Sequence, residues 1–154
     1  MIWKTILVPH DFSSSANHAA AIARDEAKLH GAKLVLLHAI ELPHQLAPDV
    51  VILPEAQGAP INVRDYAHAN AKAHLDDIAA RLTKEGVSAT PVVVFGNPIA
   101  EITRAIDTHK IDLIVMGTHG RTGLQHLLAG SVAERVVRSS SVPVLTIRHP
   151  DHAQ

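Results

Sequence analysis

A chain of 154 residues, 47% apolar and only 3% aromatic, has room for one domain with a sizeable core and is too apolar to be disordered. Fourteen Lys and Arg against fifteen Asp and Glu leave a formal charge of −1, so no basic field invites DNA or anionic lipid, and the few aromatics offer no stacking platform for single-stranded nucleic acid. The lack of cysteine excludes a disulfide framework, thiolate catalysis and a Cys-based zinc site.

The opening Met1-Ile-Trp-Lys-Thr-Ile-Leu-Val-Pro9 has too short an apolar part for a signal peptide and runs straight to Asp11. No apolar run approaches the ~18 residues of a membrane helix. A soluble, cytoplasmic protein is expected. Thr5-Ile-Leu-Val8 reads as a buried strand, broken by Pro9-His-Asp-Phe-Ser13. Ser13 or Ser14 can cap the helix that follows, because a hydroxyl can accept from a free first-turn N–H. Ala16, Ala20, Ala23 and Ala27 recur at helical spacing and predict a helix lying close against a sheet, with Gly31 as its stop. Leu34-Val-Leu-Leu37 is the second strand, ending at His38-Ala39.

Residues 41–62 carry Pro43, Pro48, Pro54, Gly58 and Pro60, too many breakers for a long helix, and predict an excursion or lid over the sheet. Ala67, Ala71, Leu75, Ile78 and Leu82 then mark the apolar face of a second helix, ended by Gly86. Val92-Val-Val-Phe95 is the third strand. Gly96-Asn-Pro98 opens the next helix with Asn97 as cap and Pro98 at its first position. Ile99, Ile102 and Ile106 form its inner face. Leu113-Ile-Val-Met116 is the fourth strand, and Pro143-Val-Leu-Thr-Ile-Arg148 the fifth, with a proline suited to a strand start or edge. Residues 1–150 read as one domain and 151–154 as a frayed tail.

Short apolar strands alternating with helices predict an α/β fold, a doubly wound five-stranded parallel sheet with helices on both faces. The expected strand order is 3-2-1-4-5. The chain then reverses direction between the first and fourth strands, and ligands in such sheets bind outside the strand carboxyl ends at that reversal. Two loops meet there: Pro9-His-Asp11 and the glycine-rich stretch from Met116 to Ser131. The second joins a strand to a helix start, where free N–H groups and the helix dipole suit an anion such as phosphate.

The glycine stretch lacks Gly-Lys-Ser/Thr, so it is not a Walker A loop, and no Gly-x-Gly-x-x-Gly follows the first strand, so the dinucleotide fingerprint is missing. Its pattern is Gly117-x2-Gly120-x9-Gly130-Ser131. This resembles the universal stress protein family, specifically its ATP-binding branch. The resemblance includes Ile6-Leu-Val-Pro-His-Asp-Phe-Ser13, Leu36-Leu-His-Ala39, the Gly-Asn-Pro turn, Met116-Gly-Thr-His-Gly-Arg-Thr-Gly123 and Val142-Pro-Val-Leu145. It implies an adenine nucleotide alpha-hydrolase-like, Rossmann-like fold that holds ATP, with Mg²⁺ carried by the phosphates. Asp11 would lie near the ribose, and main chain at Pro9 and Ala39 beside the adenine. Gly117, Gly120 and Gly130 would let the backbone wrap the phosphates, Ser131 would offer a hydroxyl and an N–H, and Arg121 would add charge. His10, Met116, Thr118 and Val132 complete the expected cofactor-binding set. His10 and Ala39 depart from residues frequent in the family, and Ala39 would give the base a roomier wall.

Each residue also has a structural reading. Ser131 and Glu134 spell a capping box, Gly117 could simply end a strand, and Asp11 could cap the first helix. Twelve histidines raise the question of a metal. His10, His38 and His119 could converge at the strand ends, but the spacings of a zinc motif are missing, and no side-chain metal site is expected.

The leading function is a nucleotide-dependent regulatory module of a stress response, with no catalytic residue assigned and an unidentified protein partner. A slow ATPase or phosphoryl-transfer enzyme using the same site is the alternative; Arg121, His119 and Thr118 would supply its polar groups, but no residue is evident to position water. A receiver domain would need an aspartate at the third strand's end, where Phe95-Gly-Asn97 stands, and a flavodoxin would need a first loop richer in glycine and threonine and more aromatics. The resemblance further implies a homodimer through the last strand, Val142-Pro-Val-Leu-Thr-Ile147, whose edge otherwise leaves backbone groups unpaired.

Overall fold

The computed structural model describes residues 2–43, 49–52, 59–118 and 131–148. Its elements run β1 (Thr5–Pro9), α1 (Ser14–His30), β2 (Lys33–Ile40), β3 (Val51–Ile52), β4 (Ile61–Asn62), α2 (Val63–Lys84), β5 (Ala89–Phe95), α3 (Pro98–His109), β6 (Leu113–Gly117), α4 (Val132–Ser139) and β7 (Val144–Ile147). Five strands form one sheet in the order β5-β2-β1-β6-β7, every pair parallel. Counted along the sequence, those five strands stand 3-2-1-4-5, as the alternating pattern predicts.

Strand alternation divides the core in two. Ile6, Val8, Leu34, Leu36, Leu113 and Val115 face α1 and α2. Leu7, Val35, Leu37, Ile114 and Met116 face α3 and α4. The central strands are buried on both faces, which is why they read as unbroken apolar runs. The predicted alanine face of α1 is buried, with Ala19 added to it, and these small side chains let the helix sit close to β1 and β6.

The predicted helix signals act as caps. Ser13 Oγ accepts from Ala16 N at 3.1 Å, and Gly31 ends α1 in the left-handed region. Asn97 Oδ1 accepts from Ile99 N and Ala100 N at 3.1 and 3.3 Å. Asn62, at the end of the excursion, caps α2 by accepting from Arg64 N at 2.8 Å.

Four local expectations change. The third sheet strand starts at Ala89, three residues before Val92, and takes in Pro91; β5 is an edge strand, where a missing N–H is tolerated. Pro143 precedes β7 instead of opening it, and its carbonyl accepts from Ile114 N at 3.0 Å. On α3 and α2, Ile99 and Ala67 are only half-buried, and Ala105 joins Ile102 and Ile106 in the core. Within the excursion, β3 and β4 pair antiparallel, Val51 opposite Asn62.

Candidate functional site

The sheet's carboxyl edge opens into a crevice between the β1–α1 turn and the start of α4, at the reversal between β1 and β6. Pro9, Asp11, Leu37 and Ala39 line one side, Met116, Gly117, Thr118, Ser131 and Val132 the other, with Pro98 and Ile102 behind. Most of these are residues that the sequence predicts for the site; Gly120, Arg121, Gly130 and His119 lie outside the described residues. The crevice measures about 250 Å³, just short of the roughly 300 Å³ at the lower end of small-molecule sites. Its walls are mostly apolar, which suits a flat base.

The first turn is built by local hydrogen bonds. His10 N donates to Leu37 O at 2.8 Å and extends the β1–β2 ladder one residue past the strand. Asp11 Oδ1 accepts from Ser13 N at 3.0 Å. Asp11 therefore braces the turn, while Ser13 is the helix cap. Phe12 takes a left-handed φ of 66°, a conformation that costs a residue with a Cβ about 1–2 kcal/mol. The twist sends the Phe12 ring to the α1–α2 side, against His38 at 4.5 Å and His74 at 5.5 Å between centroids. It leaves Asp11 at the crevice. Nothing in the sequence signals this strained position; it follows from the packing of the ring.

His10 borders the crevice, but alternation after Val8 carries its side chain to the α1–α2 face. Its ring is buried, and Nδ1 accepts from Phe12 N at 3.1 Å. Burial holds its pKa below the ordinary value, against a smaller opposing pull from the Asp11 carboxylate. The ring is thus neutral with its proton on Nε2. His38 Nδ1 donates to His10 O at 2.7 Å, so both histidines secure the turn. Among the described residues no three His, Asp or Glu side chains are grouped to hold a metal.

On the opposite wall, the start of the glycine stretch is tied into the sheet. Thr118 N donates to Ile147 O at 3.0 Å, so the sheet ladder continues into β7. Gly117 is required by a close approach: a Cβ there would lie 3.0 Å from the backbone carbonyl carbon and oxygen of Ser15. Among the described residues, the donors that suit an anion stand at the start of α4. Ser131 Oγ accepts from Glu134 N at 3.2 Å and keeps its own proton to donate. Only half of the capping box forms, because Glu134 turns to Arg138 at 2.9 Å. The amides of Val132 and Ala133, both lining the crevice, find no acceptor among the described residues. As first-turn amides they stand at the positive end of the helix.

The universal stress protein family model matches residues 3–148. Universal stress protein MJ0577 of Methanocaldococcus jannaschii is 30% identical over 156 residues, spanning 96% of both chains. A Thermus aquaticus universal stress protein, in the QAH/OAS sulfhydrylase 3′ region, is 33% identical over 153 residues, covering 96% of this chain and all of its own. The solved structure of MJ0577 superposes with a TM-score of 0.77 at 27% identity, covering 97% of this chain and 98% of that one. A universal stress protein solved in complex with cAMP gives a TM-score of 0.71 at 25% identity, covering 96% of this chain and 98% of its own. Matched almost end to end by the family model and by full-length relatives, the chain belongs to the universal stress protein family.

Proposed function

We propose that the chain is an adenine-nucleotide-binding regulatory module, with ATP as its ligand, acting in the cytoplasm as a homodimer on a partner of the stress response. One observation carries this reading: at the sheet's reversal, apolar walls sized for a base meet the positive end of α4 within one crevice. The universal stress protein solved with cAMP supports an adenine nucleotide as the ligand class.

In this reading adenine lies against main chain at Pro9 and Ala39, and Asp11 accepts from the ribose hydroxyls. The Ser131 hydroxyl and the amides of Val132 and Ala133 donate to phosphate. Gly117, Gly120, Gly130 and Arg121 complete the phosphate side, and His10, Met116 and Thr118 fix the turns on which the crevice rests. Mg²⁺ travels on the phosphates, because Asp11 is the one carboxylate lining the crevice among the described residues.

That same shortage weighs against an ATPase. Hydrolysis needs a group that positions water in line with the γ-phosphate, and Asp11 in this reading is engaged with ribose. Turnover that survives repurification and falls in Arg121→Ala would reverse the assignment. Calorimetry with ATP and Mg²⁺ tests binding directly: saturable heat is expected, and none at millimolar nucleotide overturns the proposal. Mass spectrometry of the small molecules released on denaturing fresh protein identifies the nucleotide carried.

A further inference from the structure

On the other side of the sheet from the crevice core, α1 and α2 part around an open groove of about 610 Å³. Its floor is the His10 ring, and its walls carry Asn17, His74, Asp77, Arg81 and Lys84. His10 is 4% exposed, and its Nε2 is buried with no hydrogen-bond partner. The Asn17 side chain lies near enough to favour the protonated ring, yet outside hydrogen-bonding geometry. An N–H left unpaired in a buried place is unfavourable, and this one stands at the floor of a groove that could supply it an acceptor.

The groove's charges say which acceptor. Two side-chain charges of opposite sign act on the His10 ring, the Asp11 carboxylate more strongly and the Arg81 guanidinium, which lines the groove, more weakly. Lys84 follows one turn later on the same helix. Neither makes an ion pair or side-chain hydrogen bond among the described residues. Asp77, the groove's one carboxylate, sits four residues before Arg81 without reaching it. Elsewhere on the seam between α1 and α2 the cation is satisfied: Arg24 binds Glu85 at 2.6 Å and Asp25 at 2.8 Å. Among the described residues, the groove therefore sets an N–H donor and two cations that make no ion pair against one lining carboxylate.

We infer that the α1–α2 groove is a second ligand site, distinct from the nucleotide crevice, that binds a phosphate-type oxyanion between the His10 Nε2–H and the side chains of Arg81 and Lys84. The exposed Asn17 side chain rotates aside to admit it. One oxygen accepts from the imidazole, and the others pair with the guanidinium and the ammonium.

The test is a long-range ¹H–¹⁵N spectrum of histidine-labelled protein, followed while inorganic phosphate is added. A saturable shift of His10 Nε2 is expected. In Arg81→Gln combined with Lys84→Gln, both exposed positions, the apparent affinity should fall at least about tenfold, because both charge-assisted hydrogen bonds are lost. ATP binding by calorimetry should be unchanged in that variant, which separates this site from the crevice. A His10 shift that never saturates, or one that saturates equally in the variant, overturns the inference.

Discussion

Gly117 and Ser15 meet where the end of β6 passes under the first turn of α1, so closely that a Cβ on Gly117 would stand 3.0 Å from the backbone carbonyl carbon and oxygen of Ser15 and closer still to its Oγ. Ser15 is itself buried, and its Oγ has no hydrogen-bond partner. The contact sets how tightly the first helix closes on the sheet beside the crevice. Gly117→Ala should therefore destabilise the fold by about 1–3 kcal/mol, the usual cost of overpacking. Urea unfolding measures it, and Ser15→Gly in the same molecule should restore part of the loss. An unchanged midpoint in Gly117→Ala would mean that the helix yields without strain.

Ser131 carries two duties that a pair of ligands can separate. Its Oγ accepts from Glu134 N and caps α4, so Ser131→Ala should cost about 0.5–2 kcal/mol of stability. In the proposed site its hydroxyl also donates to phosphate, and the variant should weaken ATP binding several-fold while leaving adenosine binding nearly intact. Equal losses for both ligands would reduce Ser131 to a cap.

The regular parts of this architecture are legible in the sequence because they repeat. Thr5–Pro9 and Leu113–Gly117 are short apolar runs, and the alanines of α1 fall every three or four residues. Caps such as Ser13 and Asn97 are legible because a hydroxyl or amide at a helix start has a local reason to be there. Contacts between distant segments are not. The need for glycine at 117 comes from Ser15, about a hundred residues earlier, and the left-handed Phe12 comes from rings on β2 and α2. The two-residue strands β3 and β4 are too short for any period to show. The places of Pro9, Asp11, Ala39, Ser131 and Val132 along the crevice follow from topology plus the glycine spacing, whereas the turning of the His10 ring to the opposite face depends on the strand register.

The His10 ring makes stability depend on pH in a definite direction. Its folded pKa lies below 6.5 because burial opposes the charge, with Asp11 pulling the other way and His38 and Arg81 adding to the depression. As pH falls through about 6.5, the unfolded state takes up the proton first. The stabilisation is complete above that value and declines as pH drops, until the folded ring protonates as well. Urea midpoints measured between about pH 7.5 and 5.5 should fall less steeply in His10→Asn, whose Oδ1 takes the place of Nδ1 as acceptor for Phe12 N. A slope identical to wild type would place the acid sensitivity in other groups.

The outer edge of the sheet bears on assembly. Among the described residues β7 pairs with β6 alone, so its far side has no strand partner there. Leu145 on this strand is 37% exposed, and on the neighbouring α4 Val132 and Val137 are 39% and 51% exposed. A two-fold contact through this edge would bury Leu145 against its copy and place the two edge strands side by side. Light scattering should then give twice the 16.5 kDa of the monomer. Leu145→Glu should reduce the mass to that of the monomer without loss of far-ultraviolet circular dichroism, because the side chain already faces outward and a desolvated carboxylate in the interface is unfavourable. A wild-type protein that runs as a monomer, or a Leu145→Glu protein that stays dimeric, would remove this edge as the interface.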